Sequence, residues 1–501
     1  RATAATRVDE NGLVNYAEVI GGEEVTNSDF SGGSTGWTVN NSDADNYVVF
    51  DGSTARLKFL NTSPVTEFKT TDSILTSGKT YKLTVDIALA TSGGVKVDGN
   101  GISETFNSVG VNERIITPTG NAPLTFYRAT ANVDLTFNSV SVKEVTRDNV
   151  PRIDYTGGGC PHILAEPQRT NVNTYSEDFS QSFYIKDSGV SVGTTNNVSP
   201  SGEFNATQIE VDNNLRIYAN TASDTYASSW YIKAGTFSYF RSGGNIDLVA
   251  GTYSGGTIQS VGNGWFRITK AYTGNRPFQI QAYPDGTYSS HTTSGNYYIW
   301  GSQIEVGSYA TSYIPTSGST VTRNQDLFSR DGIGSLINSE EGTFFAEMAA
   351  LSDDGTNRAL SLCDGTNSNR MLIYFSAGTN AASALYTYGG STQVAITHTL
   401  SDSTEFIKCA FKFKENDCAF WINGVEVGTD TSTTAFSANT LNDLNFDSGV
   451  GGSPFHGKVK QLQVYKTALT DEQLLQLTGE SGTDFYESYA EMASALTYTI
   501  Q

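Results

Sequence analysis

Residues 421–427 read W-I-N-G-V-E-V, and this heptapeptide decides the fold of the region around it. An Asn-Gly pair flanked by apolar residues is typical of two antiparallel strands joined by a two-residue turn. Asn423 and Gly424 supply the two positive-φ positions that a type I′ turn requires. We therefore predict a β-hairpin at this position.

Three segments follow the hairpin in a fixed order. They read F-H-G-K-V (455–459), L-Q-V-Y (462–465) and A-L-T-D-E-Q (468–473). Thr470 and Gln473 have the spacing of a capping box, which predicts a short helix through Leu477. The hairpin and these segments resemble the laminin-G/concanavalin-A-like lectin family over residues 332–479, and the resemblance implies a β-sandwich there.

The composition of the whole chain favours an all-β protein. Its 501 residues include 50 Gly, 26 Tyr and 26 Phe, as expected for short strands joined by tight turns. This length predicts three or four domains. The 11 prolines and the lack of a long charged block disfavour extensive disorder.

The charge and the hydropathy of the chain exclude two classes of binding partner. The formal net charge is −21, and phosphate binding needs clustered Lys and Arg, so we expect no nucleic acid partner. No apolar run approaches the roughly 20 residues of a membrane span, so we expect no membrane insertion. The sequence starts at Arg1 rather than Met, and we expect residues upstream of it to carry attachment to other proteins.

Four cysteines are too few for a disulfide framework. Cys409 and Cys418 flank a predicted turn, and the register that pairs Phe413 with Cys418 places Cys409 opposite Ile422. The two thiols are then too far apart to bond, and they alternate in phase with phenylalanines, which predicts burial. We expect four free thiols and folding in a reducing cytoplasm.

Residues 149–180 match neither a strand nor a helix pattern. Pro151, Pro161 and Pro167 each remove a backbone donor, while Gly157–Gly159 permit a sharp turn. We therefore expect an extended strap that crosses a surface. This segment resembles a linker in virion proteins of tailed bacteriophages.

The start of the chain carries the other half of the same resemblance. Residues 1–13 resemble the segment that usually lies just before that linker. The long separation between the two halves predicts a domain inserted into the strap. We expect Arg1–Val8 to lie beside residues 146–172.

A weak internal repeat organises the first two-thirds of the chain. Each module opens on a similar segment, N-S-D-F-S (27–31) or S-E-D-F-S (176–180), and closes on an alternating strand (137–145 or 299–306). A middle strand at 81–87 corresponds to 226–233. Both modules resemble the carbohydrate-binding-module-like jelly rolls of phage fibres.

The predicted fold class is all-β, with several β-sandwich domains and a short C-terminal helical tail. In chain order, the predicted parts are an N-terminal strap segment (1–20), an inserted jelly-roll-like module (21–145), a Pro/Gly-rich strap (146–172), a second jelly-roll-like module (173–315), a connector (316–331), the lectin-like sandwich (332–479) and the tail (480–501). Asp484 and Glu487 can cap a tail helix with Tyr486 and Leu496 on one face. That helix needs its own domain or another subunit to pack on.

Patterns for catalysis are weak. The histidines at 162, 291, 398 and 456 lack metal-ligand spacing, and we expect them at the surface. Retaining glycosidases need two close carboxylates, and residues 210–212 and 415–417 begin such a pattern without continuing it. We interpret both as solvated charges and expect no enzyme.

Sugars are held by aromatic faces together with Asn, Asp, Gln and Arg side chains on loops. The candidates with that composition are Tyr283, Asp285, Tyr288, Tyr297, Tyr298, Tyr386 and Tyr388. The alternative for each tyrosine is a place in a core or a subunit contact.

Two Asx-rich loops offer oxygen ligands, as lectin-like relatives sometimes use for calcium. The candidate calcium ligands are Asp353, Asp354, Asp364 and Asn367. Asx-rich turns without a metal have the same composition. No other cofactor is expected.

Three functions fit this sequence. The first is a phage fibre or spike adhesin that binds a host-surface glycan, the second is a structural or decoration protein of capsid or tail, and the third is a polysaccharide depolymerase, which the missing carboxylate pattern disfavours. We expect a homotrimer on the virion surface, because the strap and the tail have little of their own to pack on.

Overall fold

The computed structural model describes residues 2–61, 65–194, 197–213, 215–378 and 380–479. This part of the chain consists of antiparallel β-strands with one α-helix, α1 (Asp471–Thr478), which confirms the all-β fold class. The chain divides into two compact units, residues 18–150 and residues 1–17 with 151–501. The predicted tail helix (484–496) lies outside the described residues.

Residues 18–150 form the first unit, here called module one. In chain order, the strands up to residue 150 are β1 (Thr6–Val8), β2 (Val14–Tyr16), β3 (Val19–Glu23), β4 (Trp37–Asn40), β5 (Asn46–Phe50), β6 (Ala55–Phe59), β7 (Glu67–Thr70), β8 (Tyr81–Ser92), β9 (Val95–Gly99), β10 (Ile102–Phe106), β11 (Gly110–Ile116), β12 (Thr125–Arg128) and β13 (Val133–Thr146). One sheet of module one has the order β10-β9-β12-β7-β4, and the other has the order β11-β8-β13-β6-β5 with β3 beside β13. Side chains from both sheets form one core, in which Leu83, Val85 and Ile87 are buried as the alternation in β8 predicts.

The other unit contains a second sandwich, here called module two. The strands from the strap to the connector are β14 (Ile153–Asp154), β15 (His162–Ala165), β16 (Arg169–Asn171), β17 (Ile185–Lys186), β18 (Val190–Val192), β19 (Thr207–Val211), β20 (Arg216–Ala219), β21 (Asp224–Ala234), β22 (Tyr239–Arg241), β23 (Asn245–Asp247), β24 (Thr252–Tyr253), β25 (Thr257–Ser260), β26 (Trp265–Gly274), β27 (Phe278–Tyr283), β28 (Gly295–Val306), β29 (Val321–Arg323) and β30 (Ser329–Arg330). Its sheets have the orders β18-β19-β28-β21-β26-β25 and β17-β20-β27-β22-β23-β24. The two sheets share one core.

The internal repeat predicted from the sequence is visible in the two modules. In each opening segment an aspartate, Asp29 or Asp178, accepts a hydrogen bond from the backbone N–H two residues on, at 3.1 and 3.0 Å. The following phenylalanine, Phe30 or Phe179, is fully buried. The closing strands β13 and β28 pair with the corresponding middle strands β8 and β21.

The lectin-like sandwich follows. Its elements are a 3₁₀ turn (Gly334–Leu336), β31 (Glu341–Ala350), β32 (Arg358–Cys363), β33 (Arg370–Phe375), β34 (Ala381–Tyr388), β35 (Ser391–Thr399), β36 (Ile407–Lys414), β37 (Cys418–Ile422), β38 (Val425–Asp430), β39 (Asp443–Asn445), β40 (Gly457–Tyr465) and α1. The sheets have the orders β14-β15-β40-β31-β36-β37-β38 and β30-β39-β32-β33-β34-β35.

The local predictions for this sandwich are confirmed. Asn423 and Gly424 have φ values of 47° and 79° between β37 and β38, as the predicted turn requires. Thr470 and Gln473 form the capping box at the start of α1. The helix buries Leu474 against the β31, β36 and β37 side chains of one sheet face, so its apolar side completes a small second core.

The Pro/Gly-rich strap is built into the sheets of this unit. β14 and β15 extend the lectin-like sheet beside β40, and β16 pairs with β28 and β29 of module two. The expected strap that merely crosses a surface is therefore wrong for residues 153–171. The reason is that the residues between the prolines keep their N–H groups and can pair in a sheet.

The N-terminal segment lies beside the strap, as predicted. Val8 donates from its backbone N–H to Asp154 Oδ2 at 2.9 Å, and the Tyr155 N–H donates to the Val8 carbonyl at 3.0 Å. Arg7 donates to the Ile153 carbonyl at 3.0 Å. These bonds tie residues far apart in sequence into one unit.

Four buried charged residues, here called the strap cluster, join the strap to the connector: Arg152, Glu166, Arg323 and Asp326. Glu166 Oε2 lies 2.5 Å from Arg152 Nη1 and 2.8 Å from Arg323 Nη1, and Arg152 also pairs with Asp326. Ser312 donates its N–H and its hydroxyl to Glu166 at 2.8 and 2.7 Å. The two positive charges therefore balance two negative ones away from water.

All four cysteines are free, as predicted. Cys409 pairs with Ile422 across the hairpin, and both Cys409 and Cys418 are buried. Burial raises the pKa of each of these two thiols. Within the described residues, no helix has the length and apolar character to cross a membrane.

Candidate functional site

A groove of about 380 Å³ lies on module one, on the outer face of the sheet β10-β9-β12-β7-β4. Strand alternation creates this face, because Phe68 of β7 and Phe126 of β12 point into the core. The neighbouring residues Glu67, Lys69 and Tyr127 consequently point outward and line the groove. We call it the module-one groove.

The floor of the module-one groove holds paired polar groups around one aromatic ring. Glu67 Oε2 accepts hydrogen bonds from Lys69 Nζ at 2.9 Å and from Asn40 Nδ2 at 3.0 Å. These two bonds lower the pKa of Glu67. Burial and the nearby Glu67 carboxylate raise the pKa of Tyr127. At neutral pH the Glu67 side chain is therefore a carboxylate and the Tyr127 side chain a phenol.

Backbone hydrogen bonds fix the walls of the groove. Thr119 donates to the Asn100 carbonyl at 2.7 Å, and Leu75 exchanges two backbone bonds of 3.0 Å with Ala122. Asn100 has a φ of 50°, a conformation that asparagine tolerates better than most residues. The groove is therefore a preformed surface feature.

This arrangement suits recognition of a polyhydroxylated ligand. The Tyr127 ring is half-buried and offers apolar contact, while the amide, carboxylate and ammonium groups can exchange hydrogen bonds with hydroxyls. Asp98 at the rim is paired with Lys96, as Glu67 is with Lys69. Both carboxylates therefore act as hydrogen-bond acceptors in this structure.

Three of the tyrosines predicted to bind glycan are core residues, and that role is wrong for them. Tyr283, Tyr297 and Tyr386 are at most 2 % exposed. The Tyr297 ring packs 5.0 Å from that of Phe240, and the Tyr386 hydroxyl donates to the Thr434 carbonyl. Strand pairing turned these rings inward, so they have no face for a sugar.

The predicted module-two loop folds into an aromatic cluster. The guanidinium of Arg241 lies over the rings of Tyr283 and Tyr288, 5.4 and 5.8 Å from their centroids. Tyr288 has a φ of 53° and donates its hydroxyl to the Ile246 carbonyl at 3.0 Å. Asp285 is exposed and accepts from Thr287 within its own turn. Arg241 therefore covers ring surface on which a sugar would stack.

The last two tyrosine candidates are half-buried. Tyr298 packs against the aromatic cluster that contains Trp300, and the Tyr388 ring lies 5.8 Å from that of Phe436. Glycan binding by Tyr288, Asp285, Tyr298 and Tyr388 stays a prediction. The candidates between Tyr283 and Tyr298 lie on module two, whereas Tyr386 and Tyr388 lie on the lectin-like sandwich.

The four candidate calcium ligands make protein contacts instead. Asp354 pairs with Arg358 at 2.6 Å. Asp364 accepts from the Thr366 N–H at 2.9 Å within an Asx turn, and Asn367 contacts Arg370.

The remaining candidate, Asp353, accepts from the Asn380 N–H at 3.1 Å. Among the residues that the structure describes, no three His, Cys, Asp or Glu side chains converge on a metal position. Calcium binding by these four residues stays a prediction.

Three of the four histidines, His162, His291 and His456, depart from the surface position expected for them. His162 is 5 % exposed in β15, and the Nε2 atom lies 3.6 Å from Asp154 Oδ1. His456 is half-buried, and burial lowers its pKa to about 4. Sequence spacing could not show this, because His162 and His456 are covered by elements distant in the chain.

A second cavity, of about 610 Å³, lies in the unit of residues 1–17 and 151–501. The walls come from the strap, from β25 and β26 of module two and from loops of the lectin-like sandwich. His162, Arg267 and Lys458 are among the lining residues. We call it the central cleft.

Comparison with known families supports the lectin-like sandwich. Residues 322–475 match the family described as the Concanavalin A-like lectin/glucanases superfamily. The match covers less than half of the chain. It confirms the lectin-like domain that the W-I-N-G-V-E-V hairpin and the segments after it predicted over residues 332–479. No curated protein matches the chain.

Several solved structures are similar to parts of the chain. The Ruminococcus gnavus IT-sialidase CBM40 bound to alpha2,3 sialyllactose has a TM-score of 0.26 and 17 % identity, over 30 % of this chain and 98 % of that one. Sheep galectin-11 in complex with glycerol gives 0.20 and 12 %, over 28 % and 98 %. Domains LG4-5 of the mouse laminin alpha1 chain give 0.22 and 9 %, over 53 % and 88 %. Scores and identities this low carry no information about ligands.

Proposed function

We propose that this chain is a non-catalytic glycan-binding protein of a bacteriophage particle, and that the module-one groove holds the sugar. The observation that carries this proposal is the half-buried Tyr127 ring beside the Glu67 and Lys69 side chains, which line the groove, with Asn40 donating to Glu67. Ring surface with converging hydrogen-bonding groups is the composition of saccharide sites. The phage setting rests on the sequence resemblance of residues 149–180.

The proposed place of the chain is a fibre or spike at the virion surface, as a homotrimer. Sugar contacts through one tyrosine are weak, and several copies on one particle multiply them through high effective concentration. Because the strap packs inside its own chain, the subunit contact is proposed at the tail (480–501) alone. The host glycan is the partner in this proposal.

The second candidate function is a structural or decoration protein of capsid or tail. The observation that favours it is the net charge of −21 on a chain of β-sandwiches, which suits spacers at high local copy number. A map of the particle separates the two. A lattice on the capsid supports decoration, whereas a tail-tip position supports the adhesin.

The central test is binding to a printed array of neutral and acidic oligosaccharides. We expect Tyr127→Ala to weaken binding of at least one array component by about tenfold, because the variant removes the ring contact. Tyr47→Ala is the matched control, since Tyr47 is a half-buried tyrosine on β5 of the other sheet. If the two variants bind the array equally well, or if the original chain binds no oligosaccharide, the groove is not the sugar site.

Absence of catalysis is tested with the same components. We expect no release of reducing ends after long incubation, because the Glu67 and Asp98 carboxylates are paired with lysines. Release that disappears in Glu67→Gln would instead make the groove a hydrolase site.

A further inference from the structure

The central cleft has one wall from module two. Thr257 and Gln259 of β25 pair with Thr269 and Arg267 of β26, and Ile258 between them turns toward the core. The four polar side chains consequently share the face that lines the cleft. Thr257 and Thr269 hydroxyls lie 2.5 Å apart, so they form a cross-strand pair.

The facing wall comes from the strap and the lectin-like sandwich. Asp154 and His162 belong to paired strands β14 and β15, and Lys458 lies on the adjoining strand β40. Glu405 from the loop before β36 completes this wall. The cleft therefore brings together residues that are far apart in the sequence.

Two buried side-chain nitrogen atoms at the cleft have no hydrogen-bond partner among the described residues. His162 is 5 % exposed, and its Nε2 atom is unpaired, since Asp154 Oδ1 at 3.6 Å is beyond hydrogen-bond distance. The Nε atom of Arg267 is likewise buried and unpaired, although an Nη group of that residue donates to the Thr311 carbonyl. Buried polar groups are ordinarily satisfied, so both groups leave unused hydrogen-bonding capacity at the wall of the cleft.

The available groups match hydroxyls rather than a charged ligand. Burial lowers the pKa of His162 to about 4, so the ring is neutral at pH 7 and offers one donor and one acceptor. The Thr257, Gln259 and Thr269 side chains also both donate and accept. Arg267 and Lys458 are offset by Asp154 and Glu405 on the cleft walls.

We propose that the central cleft is a second saccharide site, which takes a short polyhydroxylated chain of low charge. The volume of about 610 Å³ falls within the range of small-molecule sites, roughly 300–1,000 Å³. His162 and Arg267 form hydrogen bonds with ligand hydroxyls, and the threonine pair with Gln259 contacts the opposite side. This inference shares its ligand class with the proposed function and concerns a site separate from the module-one groove.

The test uses the full chain and the same printed oligosaccharide array. Thr269→Trp fills the cleft, and Thr273→Trp is its matched control, because Thr273 lies on the same strand in an equivalent cross-strand threonine pair with Thr225, 3.2 Å between hydroxyls, away from the cleft. Gln259→Ala trims the cleft without added bulk, and it decides the result if the tryptophan variant does not fold. Circular dichroism and urea unfolding check each variant.

We expect Thr269→Trp and Gln259→Ala to weaken binding of one oligosaccharide that Tyr127→Ala leaves unchanged, by about tenfold for the tryptophan variant. Thr273→Trp should bind like the original chain. If every signal responds to Tyr127→Ala and none to the cleft variants, the cleft inference is wrong and the proposed function stands. If no oligosaccharide binds, both are wrong.

Discussion

The strap cluster and the module-one groove use the same chemical pairing in opposite surroundings. In the strap cluster the Arg152 and Glu166 side chains are 0 % and 4 % exposed. In the groove the Lys69 and Glu67 side chains are 25 % and 27 % exposed. Each place pairs a carboxylate with a cation at hydrogen-bond distance, so residue type does not distinguish them.

The difference shows that burial decides whether such an ion pair stabilises the fold or remains open to a ligand. Burial alone would raise the pKa of Glu166, but Arg152 and Arg323 lower it well below its usual range. Removal of one partner would leave a charge without water or counterion, so the cluster locks the strap in place. In the groove, water can replace either partner, and the pair stays open to exchange with a ligand.

Removal of Arg152 should produce the largest loss of stability. We expect Arg152→Ala to lower the free energy of unfolding by about 3–5 kcal/mol, because Glu166 and Asp326 lose a buried counterion. Urea unfolding measures the loss. Arg216→Ala, from the exposed pair with Asp187 in the same unit, should cost less than about 1 kcal/mol. Equal losses would contradict the role given to burial.

Lys270 extends the comparison of buried and exposed charges. It is a buried cation that contacts a hydroxyl group and aromatic rings. It is 6 % exposed, with Nζ 3.1 Å from Ser242 Oγ, and burial lowers its pKa to about 8. We expect Lys270→Met to stabilise the protein at pH 7 by about 1 kcal/mol or more, since the buried charge is removed.

The pH dependence gives the second readout for Lys270. Between pH 8 and 10.5 the unfolded chain binds more protons at this lysine than the folded chain, so the free energy of unfolding rises with pH in that window. Lys270→Met should remove this rise. Lys233→Met, a half-buried lysine on neighbouring strand β21, is the control and should keep it. A rise that survives in Lys270→Met would show that another group causes it.

The smallest effect is expected in the groove itself. We expect Lys69→Met to change the free energy of unfolding by less than about 1 kcal/mol, because its pair with Glu67 is a quarter exposed. Thermal unfolding beside Arg152→Ala makes the contrast direct. A loss as large as that of Arg152→Ala would make the groove pair a structural element rather than a recognition surface.

Local predictions succeeded where neighbouring residues decide the outcome. The Asn423-Gly424 turn follows from the φ preferences of those two residues, and the helix start follows from the reach of Thr470 and Gln473 across one turn. The free Cys409 follows from hairpin register. Each is set within about fifteen residues of sequence, where alternatives are few.

Site predictions failed where distant strands decide the outcome. Tyr297 and Tyr386 are residues of the type that sugar sites use. Pairing with strands distant in the sequence places both rings in hydrophobic cores. The groove was missed because β7, β12 and β9 become neighbours only through long-range pairing. The alternation around Phe68 and Phe126 was the sequence signal for an outward-facing surface. It does not predict which outward-facing residues of different strands lie next to each other.

The sequence by itself determined the all-β class, the lectin-like hairpin and helix cap, the free cysteines and the position of the N-terminal segment beside the strap. Tertiary structure alone decided that the strap joins two sheets, that Arg152 and Glu166 are buried, and that Tyr127 rather than Tyr297 faces a groove. The physical reason is the distance in sequence between the residues that interact. Turns, caps and alternation depend on the covalent neighbourhood, whereas burial of a charge or a ring depends on which distant strand packs over it.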